Sequence, residues 1–185
     1  MDGESGPVAA PDGARATRPG DGESAAPATA PGGAPATRPG GSARAMFDED
    51  VASRSAGIEL IEAARGRAVA RMRVTGQMVN GHAIAHGGYV FMLADTAFAC
   101  ACNSYGPVTV ASGAEISFVA SARLGDQLVA VAIERARYGR NGIYDVTVFR
   151  EHEEGRDIVA EFRGRSRTMQ QSRTKGAGGH EHQAE

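Results

Sequence analysis

Two stretches of the chain alternate between apolar or small residues and mostly charged ones. Ala68, Ala70, Met72 and Val74 alternate with Arg67, Arg71 and Arg73, and Ile158, Ala160 and Phe162 alternate with Glu161, Arg163, Arg165 and Arg167. Period two with one charged face predicts antiparallel strands covered on one side only. Further strand-like runs lie at 109–119, 127–136 and 142–150. Turn signals separate them at Leu124-Gly125-Asp126 and at Arg140-Asn141-Gly142, the latter the signature of a type I′ hairpin. A short strand at 58–62 follows a short helix over 47–53. In contrast, 87–104 reads GGYVFMLADTAFACACNS, long and rich in alanine, leucine and methionine, which predicts a helix. Its apolar residues fall on every face, so protein must surround most of it. The order is helix, two strands, long helix, four strands. One curved antiparallel sheet of five to six strands around one central helix, an α+β arrangement, packs these elements most economically.

Composition bounds this layout. Seven of the eight prolines precede Met46, while all ten aromatic residues lie between Phe47 and Phe162. Residues 1–45 repeat loosely (Asp2-Gly3-Glu4-Ser5 returns at 21–24, Ala16-Thr17-Arg18-Pro19-Gly20 at 36–40) but have no leucine, isoleucine or aromatic to stack, so they read as a disordered extension. Residues 46–169 form one domain. Residues 170–185, ending near His180 and His182, read as a disordered tail. A net charge of −2 leaves no basic field for nucleic acid. No apolar run is long enough for a membrane span and the first thirty residues hold no secretory block, so a cytoplasmic location is expected. Cys100 and Cys102 are too few for a disulfide framework or a four-thiolate zinc site and read as small reduced core residues.

One residue in the long helix does not fit its surroundings. Asp95 is the single charge in 89–102. An unpaired carboxylate taken out of water is costly, and such a group is what a general base or a nucleophile needs. The bland reading puts it on a wet helix face. Just before the helix, Asn80-Gly81-His82-Ala83-Ile84-Ala85-His86-Gly87-Gly88 places side-chain donors and two glycines at a helix N-terminus, where free backbone N–H groups and the dipole favour a developing oxyanion. No Gly-Lys-Ser/Thr phosphate loop accompanies it. Gly87 and Asp95 lie eight residues apart, about 12 Å along a helix. One reacting carbonyl cannot touch both, so the carboxylate has to come from a second, antiparallel chain in a two-fold dimer. His82 and His86 have the i, i+4 spacing of metal ligands, but the helix starts only after them. Both also fit a role tying the loop, and Asn80 could be only a turn residue.

These residues resemble the hotdog-fold thioesterases of the phenylacetate-degradation (PaaI-like) type. The resemblance rests on MVNGHAIAHGGYVFMLADTAFACACNS, followed by VASGAEISF, GRNGIYDV and AEFRGRSR, and covers about 46–168. It implies a hotdog fold and a homodimer that pairs again into a homotetramer. It also implies hydrolysis of acyl-CoA thioesters to free acid and CoA with no metal or other cofactor, the acyl group being aromatic, of phenylacetyl or hydroxyphenylacetyl type. Asp95 matches the catalytic carboxylate, Gly87 the backbone donor, and Asn80 and His86 the polar lining, while Thr96 follows the Asp as in several relatives. Ser112 lies near a strand serine found in some. The phosphates of CoA call for basic residues, for which Arg137, Arg140 and Asn141 at the hairpin and Arg163 and Arg165 on the final strand are candidates. Tyr89, Val90 and Phe118 are candidates for shaping the acyl pocket. A domain that binds acyl-CoA without cleaving it, as a sensor, is the alternative; a hydratase or dehydratase fits the spacing less well.

Overall fold

The computed structural model describes residues 40–170. The extension up to residue 39 and the tail from 171, with His180 and His182, lie outside the described residues. The elements run α1 (Gly41–Glu49), α2 (Val51–Ser55), β1 (Glu59–Ala64), β2 (Arg67–Arg73), a 3-10 turn (Gly76–Met78), α3 (Gly87–Cys102), β3 (Thr109–Phe118), β4 (Gln127–Tyr138), β5 (Asn141–His152) and β6 (Gly155–Thr168). The six strands form one antiparallel sheet in the order β1-β2-β4-β5-β6-β3.

Alternation buries one sheet face under α3. Ala68, Ala70 and Met72 on β2, Leu128, Ala130 and Ala132 on β4, Tyr144, Val146 and Val148 on β5, and Ala160 and Phe162 on β6 are all buried. Small residues under the helix let it lie close to the sheet, and the gaps are filled by aromatics. Phe98 packs at ring-centroid distances of 5.5 Å from Tyr144 and 5.9 Å from Phe162, and Phe91 meets Phe162 edge-on at 5.3 Å. The opposite face carries the arginines, among them Arg163, which grips Asp145 with two bonds of 2.7 and 2.9 Å.

Three expectations are corrected. Residues 40–45 belong to the fold rather than to the extension: Ala43 is fully buried, Ser42 Oγ donates to Asn103 O at 2.6 Å, and Arg44 donates to Leu60 O at 2.8 Å. Glycine, serine and alanine hid this turn because they lack bulk. Gly40 has φ +83°, and a Cβ there would lie 2.1 Å from Ala63 O. The first helix is also two, broken where Asp50 leaves helical geometry and caps α2 by accepting from Ser53 N at 3.0 Å. Finally, the β4–β5 hairpin turns at Gly139-Arg140, because Tyr138 pairs with Asn141. Gly139 alone has positive φ (56°), the pattern of a type II′ loop, and Asn141 and Gly142 already belong to β5.

Candidate active site

Local hydrogen bonds build the loop before α3. Asn80 Oδ1 accepts from His82 N at 2.9 Å, Asn80 N donates to Ile84 O at 2.9 Å, and Ala83 adopts the left-handed conformation at φ 59°. The loop is anchored to the rest of the domain by Ala85 N to Ala122 O (2.8 Å) and His86 N to Met78 O (2.7 Å). His86 is the N-cap of α3: Gly88 N donates to its Nδ1 at 3.0 Å. A ring nitrogen that accepts is unprotonated, so in neutral His86 the proton sits on Nε2, leaving an outward-facing donor. Tyr89 N is satisfied by His86 O. Gly87 N donates to no acceptor among the described residues, so one amide at the positive end of α3 stays open.

That amide borders a cavity of about 440 Å³ lined mainly by apolar groups, including Ile84, Val90, Phe118, Val119 and Val159, with Asn80 at its edge. The Phe118 ring lies over Gly87, where an added Cβ would come within 2.9 Å of Cζ. Val90 and Phe118 thus line the cavity as expected, whereas Tyr89 is not among its lining residues.

Asp95 does not reach this cavity in its own chain. It is half-buried on α3, and its carboxylate accepts no hydrogen bond among the described residues. Burial, and secondarily the Asp50 carboxylate, push Asp95 above the ordinary carboxylate range. Thr96 turns inward: its hydroxyl is buried, donates to Met92 O at 2.8 Å and lies 2.8 Å from Ser53 Oγ. Its partners are helix and α2 rather than open space, and it is not among the residues lining the cavity.

The CoA candidates fall into two separate places. Arg137, Arg140 and Asn141 share a small cavity of about 180 Å³ near the C-terminal end of α3, where the Arg137 guanidinium lies 4.0 Å from the Tyr105 ring centroid. Arg163 and Arg165 sit on the outer face of β6, held by Asp145 and, at 3.5 Å, by Glu115, and do not join them. Ser112 is the extra residue of a β-bulge between Ala111 and Gly113, and its hydroxyl donates to Arg165 O at 3.1 Å. Sequence reading missed Asp50. Its spacing to Ser53 fits an N-cap, the one signal that could have found it.

Among the described residues no cluster of three or more His, Cys, Asp or Glu groups could hold a metal, and no described helix is long and apolar enough to cross a membrane. The model of the thioesterase superfamily matches residues 82–155. The acyl-coenzyme A thioesterase PaaI of Escherichia coli K12 is 43% identical over 125 residues, 68% of this chain and 87% of that protein. The solved E. coli PaaI structure, from the phenylacetic acid degradation operon, matches with a TM-score of 0.66 at 42% identity, covering 70% of this chain and 91% of that one. A mutant of the phenylacetic acid degradation protein PaaI of Thermus thermophilus matches with a TM-score of 0.59 at 32% identity, covering 63% and 97%. With that coverage, and a six-stranded antiparallel sheet packed on one long helix, the chain belongs to the thioesterase superfamily as a PaaI-like protein of hotdog fold.

Proposed function

We propose that this protein hydrolyses acyl-CoA thioesters, aromatic ones of phenylacetyl or hydroxyphenylacetyl type, to the free acid and CoA. The observation that carries the reading is the open Gly87 amide at the border of an apolar cavity of about 440 Å³. A thioester carbonyl placed there is polarised by the helix N-terminus, and the acyl group is sheltered by Ile84, Val90 and Phe118. Asn80 and the His86 Nε2 proton supply further donors at the same end.

The acid group comes from a second copy. Asp95 lies outside its own chain's cavity, and β3 is a sheet edge whose Val110 and Phe118 are exposed, a surface suited to pairing with another β3. Such a dimer sets two α3 helices side by side, and it associates further into a tetramer. Asp95 then either attacks the carbonyl, releasing CoA thiolate and leaving a mixed anhydride that water opens, or takes the proton of an attacking water. Arg137, Arg140 and Asn141 receive the CoA phosphates. The side chains of Arg163 and Arg165, already engaged by carboxylates, are the weaker candidates.

Thiol release from a panel of aryl and alkyl CoA esters, by wild type and Asp95→Asn, tests the reading. The expected result is turnover that the substitution lowers by about 10²- to 10⁴-fold with the fold intact. Tight binding without thiol release would make the protein an acyl-CoA sensor instead, and near-normal turnover in the variant would remove Asp95 from the chemistry.

A further inference from the structure

At the C-terminal end of α3, opposite the end that holds the Gly87 amide, a cavity of about 180 Å³ opens between the helix, the β4–β5 hairpin and β6. Ligand pockets usually span about 300–1,000 Å³, so this one takes a fragment such as a single phosphoryl group. Its lining residues include two arginines, Arg137 and Arg140, and no carboxylate. Ser166 is 3% exposed, yet its hydroxyl has no hydrogen-bond partner among the described residues. Among those residues no unpartnered polar side-chain atom is sealed in the interior, so the hydroxyl opens into the cavity that Ser166 lines. Thr109 and Thr168, by contrast, already satisfy each other: their hydroxyls lie 3.1 Å apart, and that of Thr109 donates to Pro107 O at 3.0 Å.

Gly142, the pairing partner of Ser166 on β5, keeps the space beside that hydroxyl open, since a Cβ there would come within 2.8 Å of Ser166 Oγ and of Tyr144 Cε2. Its φ is not positive, so space rather than turn geometry accounts for the glycine. Arg137 is steadied over the Tyr105 ring at 4.0 Å, with Glu134 Oε2 also at 4.0 Å, while Arg140 has no carboxylate partner among the described residues. The Asn141 amide adds a neutral donor. Such donors, with no carboxylate lining the recess, match a phosphate monoester, which presents three acceptor oxygens and nearly two negative charges. We propose that this cavity holds the terminal 3′-phosphate of CoA, with Ser166 and Arg140 as the residues that select it. The internal diphosphate, esterified on both sides, does not fit a recess of this size. The inference rests on the reading of the substrate as an acyl-CoA. Gly87 and Cys102 stand about 22 Å apart along α3. In the antiparallel pair of α3 helices the cavity of one copy therefore lies toward the Gly87 end of its partner, along the path of one extended substrate.

The test compares phenylacetyl-CoA with its 3′-dephospho analogue on the full chain. Wild type should favour the complete ester in kcat/KM by about tenfold or more, as expected for hydrogen bonds to a charged group. Ser166→Ala and, separately, Arg140→Gln should each cut that advantage by about threefold or more. Equal use of the two esters by wild type, or an advantage that either variant leaves in place, overturns the inference. Arg140 is exposed, so its substitution keeps the test open should Ser166→Ala fail to fold. Calorimetric titration with CoA and 3′-dephospho-CoA makes the same comparison without turnover. A protein that releases no thiol from any ester thus loses the hydrolase reading while the cavity is still tested. Inorganic phosphate is the third probe: a rise in Tm that depends on Ser166 and Arg140, beside equal affinity for the two coenzymes, makes the recess a free-anion site and overturns its assignment to CoA.

Discussion

Replacing Gly87 by alanine separates the open amide from access to it. The variant keeps the backbone N–H. The new methyl lies 2.9 Å from Phe118 Cζ and 3.3 and 3.4 Å from Cε1 and Cε2. Comfortable carbon contacts are about 3.5–4.0 Å, so the ring must withdraw by roughly 0.6–1 Å. It can do so, since Phe118 is 56% exposed and ends an edge strand. The φ of Gly87 is not in the left-handed region, and alanine is the better helix former by about 1 kcal/mol in a helix interior. Stability should therefore change by less than about 1 kcal/mol. Catalysis should not escape, because the methyl and the displaced ring crowd the approach of a carbonyl to the amide. Losing one such donor costs about 10²- to 10³-fold in rate. The assay is kcat/KM for thiol release from phenylacetyl-CoA beside a thermal melt, with Gly76→Ala, whose Cβ would meet nothing within 4 Å, as control. An unchanged melt with kcat/KM within about threefold of wild type would refute the placement of the carbonyl at Gly87.

The Asp95 carboxyl is raised on folding, so folding disfavours its ionised form. That penalty is absent below the ordinary carboxylate range and grows as pH rises through the raised value; Asp95→Asn should accordingly raise Tm at neutral pH and lose this advantage in acid, as melts across pH would show. Gly164→Ala puts a Cβ 2.8 Å from three ring atoms of buried Phe98, which Tyr144 and Phe162 prevent from retreating. Overpacking of this kind costs about 1–3 kcal/mol and should lower Tm by roughly 3–10 °C in differential scanning fluorimetry. Cys100 and Cys102 are buried, with thiols pushed up to about 12, so native protein at pH 8 should leave a disulfide reagent unreacted while denatured protein consumes two equivalents.

Much of the sheet could be read locally. The alternation on β2, and on β6 from Ala160 onward, assigned buried and solvent faces correctly, whereas Ile158, read with the buried face, is exposed and Val159 is buried because the pairing with β5 shifts register there; the turn before Gln127 fell where Leu124-Gly125-Asp126 suggested. Errors arose where one residue changes the count. At Gly139-Arg140 the loop formed two residues ahead of the Asn-Gly pair, because β4 and β5 pair in a register that places Asn141 opposite Tyr138. At Ser112 a bulge shifts the register on β3, so facing extrapolated through it reverses. The helical turn at 41–45 was lost because alanine and glycine give no hydrophobic signal, although Ala43 is wholly buried.

By itself the sequence determined the order of elements, the long helix buried on most sides, the glycine pair at its start and the lone acid within it, since each depends on neighbours a few positions apart. Only the tertiary structure decided that Phe118 covers Gly87, that Thr96 turns toward Ser53, that Asp50 caps α2 by way of Ser53, and that the arginines divide between two surfaces. Most of those relations join residues far apart in the chain. They follow from strand register and from the seating of α1 and α2 against α3, which no local period encodes.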